Sequence, residues 1–327
     1  MIGTVGGTNQ TVWDNVGKMR NRGFEAEVSY NKSINKDFGF NVAFNMSAIK
    51  NKMTELDGDV SYIGLPTSVI HSLNFDQEVS RSAIGQPIGS FYAYKEDGLF
   101  QSEAEIKSYT NNKGELLQPN AKPGDIKFVD VNGDGVIDGN DRDYIGNPLP
   151  DVTAGLTLGV NFHNFDLSLF FQGMFGNDVY DLTRYVGDFY NQSQYNKNSR
   201  VVNAWTPTNT NTDIPRVTMD DPNNNIRPSS YYVQDASFVR LKNMKIGYSV
   251  PQSILSKIKF NSLYIYAQAT NLFTITGYDG IDPEVGLQSY SSDYRNLDMG
   301  VDRGIYPLSR TLSLIHISEP TRRRGIS

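Results

Sequence analysis

The chain has 327 residues, a net charge of −6 with acidic and basic side chains mixed along it, and 12% aromatic residues. That length suits one large β domain or two smaller ones, the mixed charge excludes a nucleic-acid surface, and the aromatic content favours strands. There is no cysteine, so a disulfide framework and a Cys-ligated zinc are both excluded.

Three histidines, His71, His163 and His316, have no spacing that suits a metal and are expected at the surface or in turns. No run of about 18 apolar residues exists to cross a membrane as a helix. Met1-Ile2-Gly3-Thr4 lacks a basic start and an apolar core, so no signal peptide is expected here.

The first clear element is Gly23 to Lys32, where Phe24, Ala26, Val28 and Tyr30 alternate with Glu25, Glu27, Ser29 and Asn31. A period of two means a strand with one apolar and one polar face. After the polar turn Ser33 to Asp37 the alternation resumes with Phe38, Phe40, Val42, Phe44, Met46 and Ala48, which predicts a hairpin. Weaker strands are expected at Ser68 to Asn74 and Ser90 to Phe100.

Residues 130–141 read as a calcium loop. Oxygen-bearing side chains fall at loop positions 1, 3, 5, 9 and 12, as Asp130, Asn132, Asp134, Asp138 and Asp141. Gly135 sits where the chain must turn sharply, and Val136 can offer its backbone carbonyl. A hard cation that takes about six to eight oxygens gives this register its reason. Position 12 is Asp rather than Glu, which shortens bidentate reach; the version in dockerin-like repeats is similar. Gly124 to Val129 looks extended, not helical, so a structural clip in a long loop is expected rather than a paired EF-hand sensor.

A second hairpin follows. Ala154, Leu156, Leu158, Val160 and Phe162 alternate with Thr153, Gly155, Thr157, Gly159 and Asn161. His163-Asn164 is a two-residue turn, and Phe165, Leu167, Leu169 and Phe171 return, with Phe170 breaking the pattern. A third pair runs from Phe238 to Tyr248, with a bulge expected near Arg240-Leu241-Lys242, and from Leu263 to Thr270. Pro251 separates them, with a short helix over Gln252 to Ile258. A last weak strand is expected at Ile305 to Leu312.

Connections within hairpins are short. Those between hairpins are long and polar: Met53 to Pro87, Gln101 to Pro150, Gly176 to Ser229 and Thr276 to Arg303. Outer-membrane barrels have that asymmetry. A strand of about 11 residues at about 3.3 Å each, tilted by about 45°, covers roughly 25 Å, the height of the apolar band of such a barrel. Tyr30, Phe38, Phe162 and Phe165 lie beside the short turns as an interfacial girdle would, and the Glu, Ser, Thr, Asn and Gly of the other face suit a wet lumen. A soluble β-sandwich also alternates apolar-in and polar-out. It differs in burying Phe40, Leu156, Leu167 and Ile265 between two sheets.

Several motifs, in order, resemble the C-terminal half of the SusC/RagA family, the TonB-dependent outer-membrane transporters of Bacteroidetes-type bacteria. They are Gly17-Lys18-Met19-Arg20-Asn21-Arg22-Gly23-Phe24-Glu25, Gly85-Gln86-Pro87-Ile88-Gly89-Ser90-Phe91-Tyr92 and Gly124-Asp125-Ile126-Lys127-Phe128. Further along come Ile145-Gly146-Asn147-Pro148-Leu149-Pro150, Ala204-Trp205-Thr206-Pro207, Ser237-Phe238-Val239-Arg240-Leu241-Lys242-Asn243, Asn271-Leu272-Phe273 and Asp279-Gly280-Ile281-Asp282-Pro283-Glu284. Tyr306-Pro307-Leu308-Ser309-Arg310-Thr311 resembles the lead-in to the family's closing strand.

The resemblance implies an all-β fold: a partial antiparallel transmembrane β-barrel, the C-terminal strands of a roughly 22-stranded barrel, with long extracellular loops. It implies an N-terminal plug, a segment that engages TonB, and a SusD-like lipoprotein that captures glycans or peptides. The implied function is energised import of oligosaccharide or peptide across the outer membrane of a Gram-negative cell, in contact with outer-membrane lipid. Residues 1–311 are then part of the barrel, with about nine or ten strands that alone cannot close it. Residues 312–327 depart from the family. Leu312 to Arg322 looks like the translation of a sequencing-library adapter, and this tail is set aside as non-native.

No nucleophile elbow, P-loop, H-E-x-x-H or C-x-x-C occurs, so no enzyme is expected. Glu25 and Glu27 share a strand face as lumen-facing carboxylates. Tyr180, Tyr185, Tyr190 and Tyr195 could stack on sugar rings or pack within a loop. The main alternative is a secreted calcium-dependent glycan-binding β-sandwich. An enzyme of dockerin-bearing type would need a second calcium repeat and a catalytic constellation, and neither is found.

Overall fold

A computed structural model describes residues 17–58, 60–64, 77–191, 196–258, 260–286 and 297–320. Its frame is one antiparallel sheet. The strands are β1 (Gly17–Ser33), β2 (Phe38–Leu56), β3 (Val152–Phe162), β4 (Phe165–Phe175), β5 (Phe238–Ser249), β6 (Phe260–Thr270) and β7 (Thr311–Pro320), paired in that order. The short strand Thr274–Thr276 pairs with the start of β5 and brings the sheet to eight strands among the described residues.

Register carries the alternation across the sheet. Val28 lies opposite Phe44, Phe44 opposite Leu156, Leu156 opposite Phe171, and Phe171 opposite Leu241. A parallel row runs Phe40, Val160, Leu167, Ile246, Ala267. One face is therefore apolar from β1 to β6, and nothing among the described residues covers it. Phe24 is 64% exposed, Val28 67% and Ile265 38%, while Phe40, Leu156 and Leu167 are half-buried by their strand neighbours alone. A sandwich would have buried these side chains.

The turns follow from local chemistry. His163 takes φ 51°, which lets the two-residue turn join β3 to β4, and its amide donates to the Asp37 carbonyl. The expected bulge is real: the register against β4 shifts between Asn243 and Leu241, leaving Lys242 unpaired in that ladder. The helix over Gln252–Ile258 is also present. On the polar face, the Tyr264 hydroxyl reaches across β5 to donate to Asp166 at 2.8 Å. It passes over Gly247, where an added Cβ would collide with it.

Several expectations need correction. The strand expected over Ser90 to Phe100 is two, Ser90–Tyr94 and Glu96–Leu99, because the halves pair with different partners, Arg142–Gly146 and Ile126–Phe128. Ile305 to Arg310 is not a strand: Asp302 accepts from Gly304 and Ile305, Asp282 accepts from Leu308, and Pro307 has no N–H. Apart from these corrections, residues 312–320 form most of β7 and pair with β6, which leaves the reading of 312–327 as a non-native tail where the sequence put it. The polarity of β7 inverts along its length. Leu312 and Leu314 lie opposite Ala269 and Ala267 on the apolar face, whereas Ile315 and Ile317 lie opposite Tyr266 and Tyr264 on the other. The strand expected at Ser68 to Asn74 lies outside the described residues.

The largest correction concerns the long connections, which hold the hydrophobic core. Val79, Phe91, Ile126, Phe128, Tyr180, Leu182, Tyr232 and Val301 are all buried there. Asp178–Asp181 pairs antiparallel with Val233–Asp235 and parallel with Val301–Asp302. Tyr180 stacks on Tyr232 with ring centres 5.4 Å apart. The connections thus form a cap with a core of its own at one end of the sheet.

Candidate functional site: the cap over the polar face

The cap is seated on the end of the sheet away from the hairpin turns. Met53 in β2 donates to the Gln86 carbonyl and accepts from Gly85, and Asn51 accepts from the amide of Ile88. The stretch Gly85 to Tyr92 is in this way hydrogen-bonded to the inward side of β2.

Within the cap, Asp125 is fully buried and fully engaged. It accepts from Arg216 Nε at 2.6 Å, from Asn225 Nδ2 at 2.9 Å and from the Lys122 amide at 2.8 Å. Gln118 donates to the Ile126 carbonyl and accepts from the Phe128 amide, so a side chain completes the ladder on that edge. Gly124 has φ +87°, and a Cβ there would strike the Trp205 ring at 2.4 Å. Only glycine meets both demands, which is why this turn and the Ala204-Trp205 segment are in contact. A buried carboxylate is tolerated because every oxygen has a partner.

A second buried cluster fixes the cap to β5. Arg240 is 2% exposed and donates to Asp282, to Glu284 Oε2 at 3.0 Å and to Thr274 Oγ1 at 2.7 Å. Lys242, the bulged residue, donates to Glu284 at 2.7 Å. The bulge therefore turns Lys242 onto the carboxylate that Arg240 also holds. Burial alone would push the Asp282 carboxyl up, but hydrogen bonds from Arg240 and from the Glu284 and Leu308 amides hold it below the usual carboxylate range. The sequence placed these residues in two motifs without showing that they meet.

Between these clusters a polar groove of about 540 Å³ opens, lined by Asp181, Arg184, Asn198, Arg200, Asp279 and Ile281 among others. Arg184 donates to the Tyr231 carbonyl and to Asp279, and lies 3.6 Å from Asp181. Arg200 donates to Asp213 and lies 3.5 Å from Asp188. Nearby, burial pushes the Glu96 carboxyl up to about 7, with the charge of Asp213 adding to the effect and Arg184 opposing it. No sequence pattern singled out Arg184, Arg200 or Glu96.

Loop 130–141 is held by its own side chains. Asp130 accepts from Gly133 and Gly135, Asn132 from Asp134, Asp134 from Val136, and Asp138 from Asn140. Gly133 and Gly135 take φ 74° and 88°. Asp141 is buried and accepts from Val131, Asn132 and Asp138. The oxygens of Asp130 and Asp141 thus face backbone amides, and no three acidic or histidine side chains converge as a metal-holding group among the described residues. The tyrosines divide: Tyr180 and Tyr185 are core residues, Tyr190 is 38% exposed, and Tyr195 lies outside the described residues. Glu25 and Glu27 are exposed on the polar face, where Glu25 accepts weakly from Ser47.

Comparison with known proteins matches this arrangement. The chain is 36% identical over 301 residues to TonB-dependent receptor P3 of Formosa agariphila, covering 92% of this chain and 28% of that relative. It is 26% identical to the TonB-dependent receptor SusC of Bacteroides thetaiotaomicron, over 94% of this chain and 27% of SusC. A solved structure of the RagAB peptide transporter superposes with a TM-score of 0.67 at 24% identity, over 93% of this chain and 30% of that one, and shares the fold. No family model matches. The chain spans a little over a quarter of the length of the curated relatives it matches.

Two outcomes follow from the charges. Arg240→Leu leaves Asp282 buried without its guanidinium partner, while Lys242 still holds the partly exposed Glu284, and is expected to cost about 3–5 kcal/mol. Urea unfolding of the protein reads this, and a cost below about 1 kcal/mol would mean the cluster does not hold the cap. Glu96 has its carboxyl raised from an ordinary value of 4.5. The folded state then binds the proton more tightly, so Glu96 lowers stability as pH rises from about 4.5 through about 7. Glu96→Gln is expected to slow amide exchange in the cap at pH 8 and to leave it unchanged at pH 4; no difference at pH 8 would refute the assignment.

Proposed function

We propose, on the premise that the chain belongs to the SusC/RagA family of TonB-dependent receptors, that it forms part of the wall and the outward cap of an energised importer in the outer membrane. One observation carries the reading. A continuous apolar face has no covering layer among the described residues, while the opposite face is polar and its far end is closed by an ordered cap. In a bilayer the apolar face meets lipid and the ladder satisfies the backbone, as a spanning sheet requires. The glycan-binding sandwich lacks its second sheet.

The solute is an oligosaccharide or a peptide. It passes the groove of Arg184, Arg200 and Asp279 on its way to the polar face, where Gly159 and Gly155 make room for the amide side chains of Asn41 and Asn45. A SusD-like lipoprotein delivers it from outside, and TonB, engaged elsewhere in the whole protein, supplies the energy. This is transport without bond cleavage: the groups that line the path offer hydrogen bonds and charge. The test is uptake of fluorescent oligosaccharide and peptide pools by cells that carry or lack the full-length gene. Uptake of one pool is expected to need both the gene and a proton gradient, and equal uptake of both pools in the deletion strain would refute it.

The same reading gives loop 130–141 one structural calcium ion, with Asp130, Asn132, Asp134, Asp138 and Asp141 and the Val136 carbonyl as its oxygens. What supports it is the ligand register together with the turns at Gly133 and Gly135. The ion would lower the entropy of the long connection between Phe91 and Thr153. Asp134→Ala is expected to leave strand content intact and to raise protease cleavage between Gly124 and Asp141; cleavage that is the same with and without chelator would count against the ion.

A further inference from the structure

The apolar face ends differently at its two ends. At the hairpin turns it ends in rings: Tyr30 and Phe38 lie near Phe40, Phe38 meets Phe162, and Phe165 meets Tyr248, with one lysine, Lys32, opposite Phe40. At the cap end of β1 and β2 it ends in cations. Beyond the last apolar pair, Phe24 and Ala48, Arg22 lies opposite Lys50 and Arg20 opposite Lys52. These share the face of Phe24 and Phe44, since Asn51 and Met53, between and beyond the lysines, take the other side and meet the cap.

All four cations are exposed, and none forms an ion pair among the described residues; the nearest pair along the ribbon is Lys18 with Glu55 at 2.7 Å. Like charges directly opposite one another on adjacent strands are destabilising. An anion held between the two facing pairs would offset that cost. Their height says which kind. Lys50 and Lys52 stand two and four residues past Ala48, about 7–13 Å along the strand, or roughly 5–9 Å above the apolar band at the usual tilt of about 45°. That is headgroup depth. Below them on the same face lies an apolar cavity of about 350 Å³, walled by Phe44, Leu156, Phe171 and Phe175, where Ala154 faces Gly173 and the small pair leaves a dent between the rings.

We propose that Arg20, Arg22, Lys50 and Lys52 form a binding site for a phosphate-bearing glycolipid of the outward leaflet, with an acyl chain seated in the cavity beside them. Guanidinium forks take phosphate oxygens two at a time, and the lysines add point charge. The inference rests on the reading that this face meets lipid.

The test uses the full-length receptor that contains this stretch, placed in phosphatidylcholine bilayers with lipid A that either carries its phosphate or has been stripped of it. Native mass spectrometry counts the lipid A that is retained. The unaltered receptor is expected to retain the phosphorylated form at least about tenfold better. The combined variant Arg20→Gln, Arg22→Gln, Lys50→Gln, Lys52→Gln is expected to lose that preference, and Lys32→Gln at the other end to keep it. Equal retention of the two lipids by the unaltered receptor overturns the site, as does an unchanged preference in the combined variant. The two-lipid comparison needs no variant, so it stands if the variant misfolds. Flotation of the unaltered receptor with the bilayers is read first: a receptor that does not float overturns the membrane premise, whereas one that floats without preference overturns this site alone.

Discussion

Strict alternation along hydrogen-bonded strands is the constraint from which the rest of the molecule follows. Side chains on a strand must point to opposite faces, and an antiparallel ladder locks neighbouring strands in register, so a slip of one residue would turn every apolar side chain around. From Val28 through Phe44, Leu156 and Phe171 to Leu241 no such slip occurs; the bulge at Lys242 absorbs the one irregularity between β4 and β5. The outcome is a sheet whose two faces could not be exchanged. No layer covers its apolar face among the described residues, so within them the sheet draws its cohesion from the ladder and from the cap at one end.

The cap depends on the opposite principle. Its connections are polar in sequence, yet they enclose a core of aromatic and branched side chains and brace it with clusters in which a buried acid meets a base. Asp125 with Asn225, and Arg240 with Asp282, are buried, with Arg216 and Glu284 at the partly exposed edge of each cluster, and a buried member would be costly if left alone. Such clusters make a loop assembly hold one shape. A rigid cap can present the Arg184 and Arg200 groove in a constant geometry, which a solvated loop could not.

The two ends of the apolar face also divide the work. Rings beside the turns are at home in an interface that is neither oil nor water. Cations beside the cap are at home only where anions gather. That polarity along the strand axis matches the polarity of the chain, with short turns at one end and the cap at the other.

Much was legible in the sequence because the signals are local. Period-two alternation, the turn at His163-Asn164, the bulge near Lys242 and the helix at Gln252–Ile258 each depend on residues within a few positions of one another. Tertiary structure decided the rest. It alone split Ser90–Phe100 between two partners, made Ile305 to Arg310 a side-chain-braced connection instead of a strand, and turned Tyr180 and Tyr185 from candidate sugar platforms into core. It also brought Asp125 to Arg216, 91 residues away, and Arg240 to Asp282, 42 residues away. Periodicity records which way a side chain points relative to its neighbours in the chain, whereas burial of a charge depends on a partner that only folding brings near.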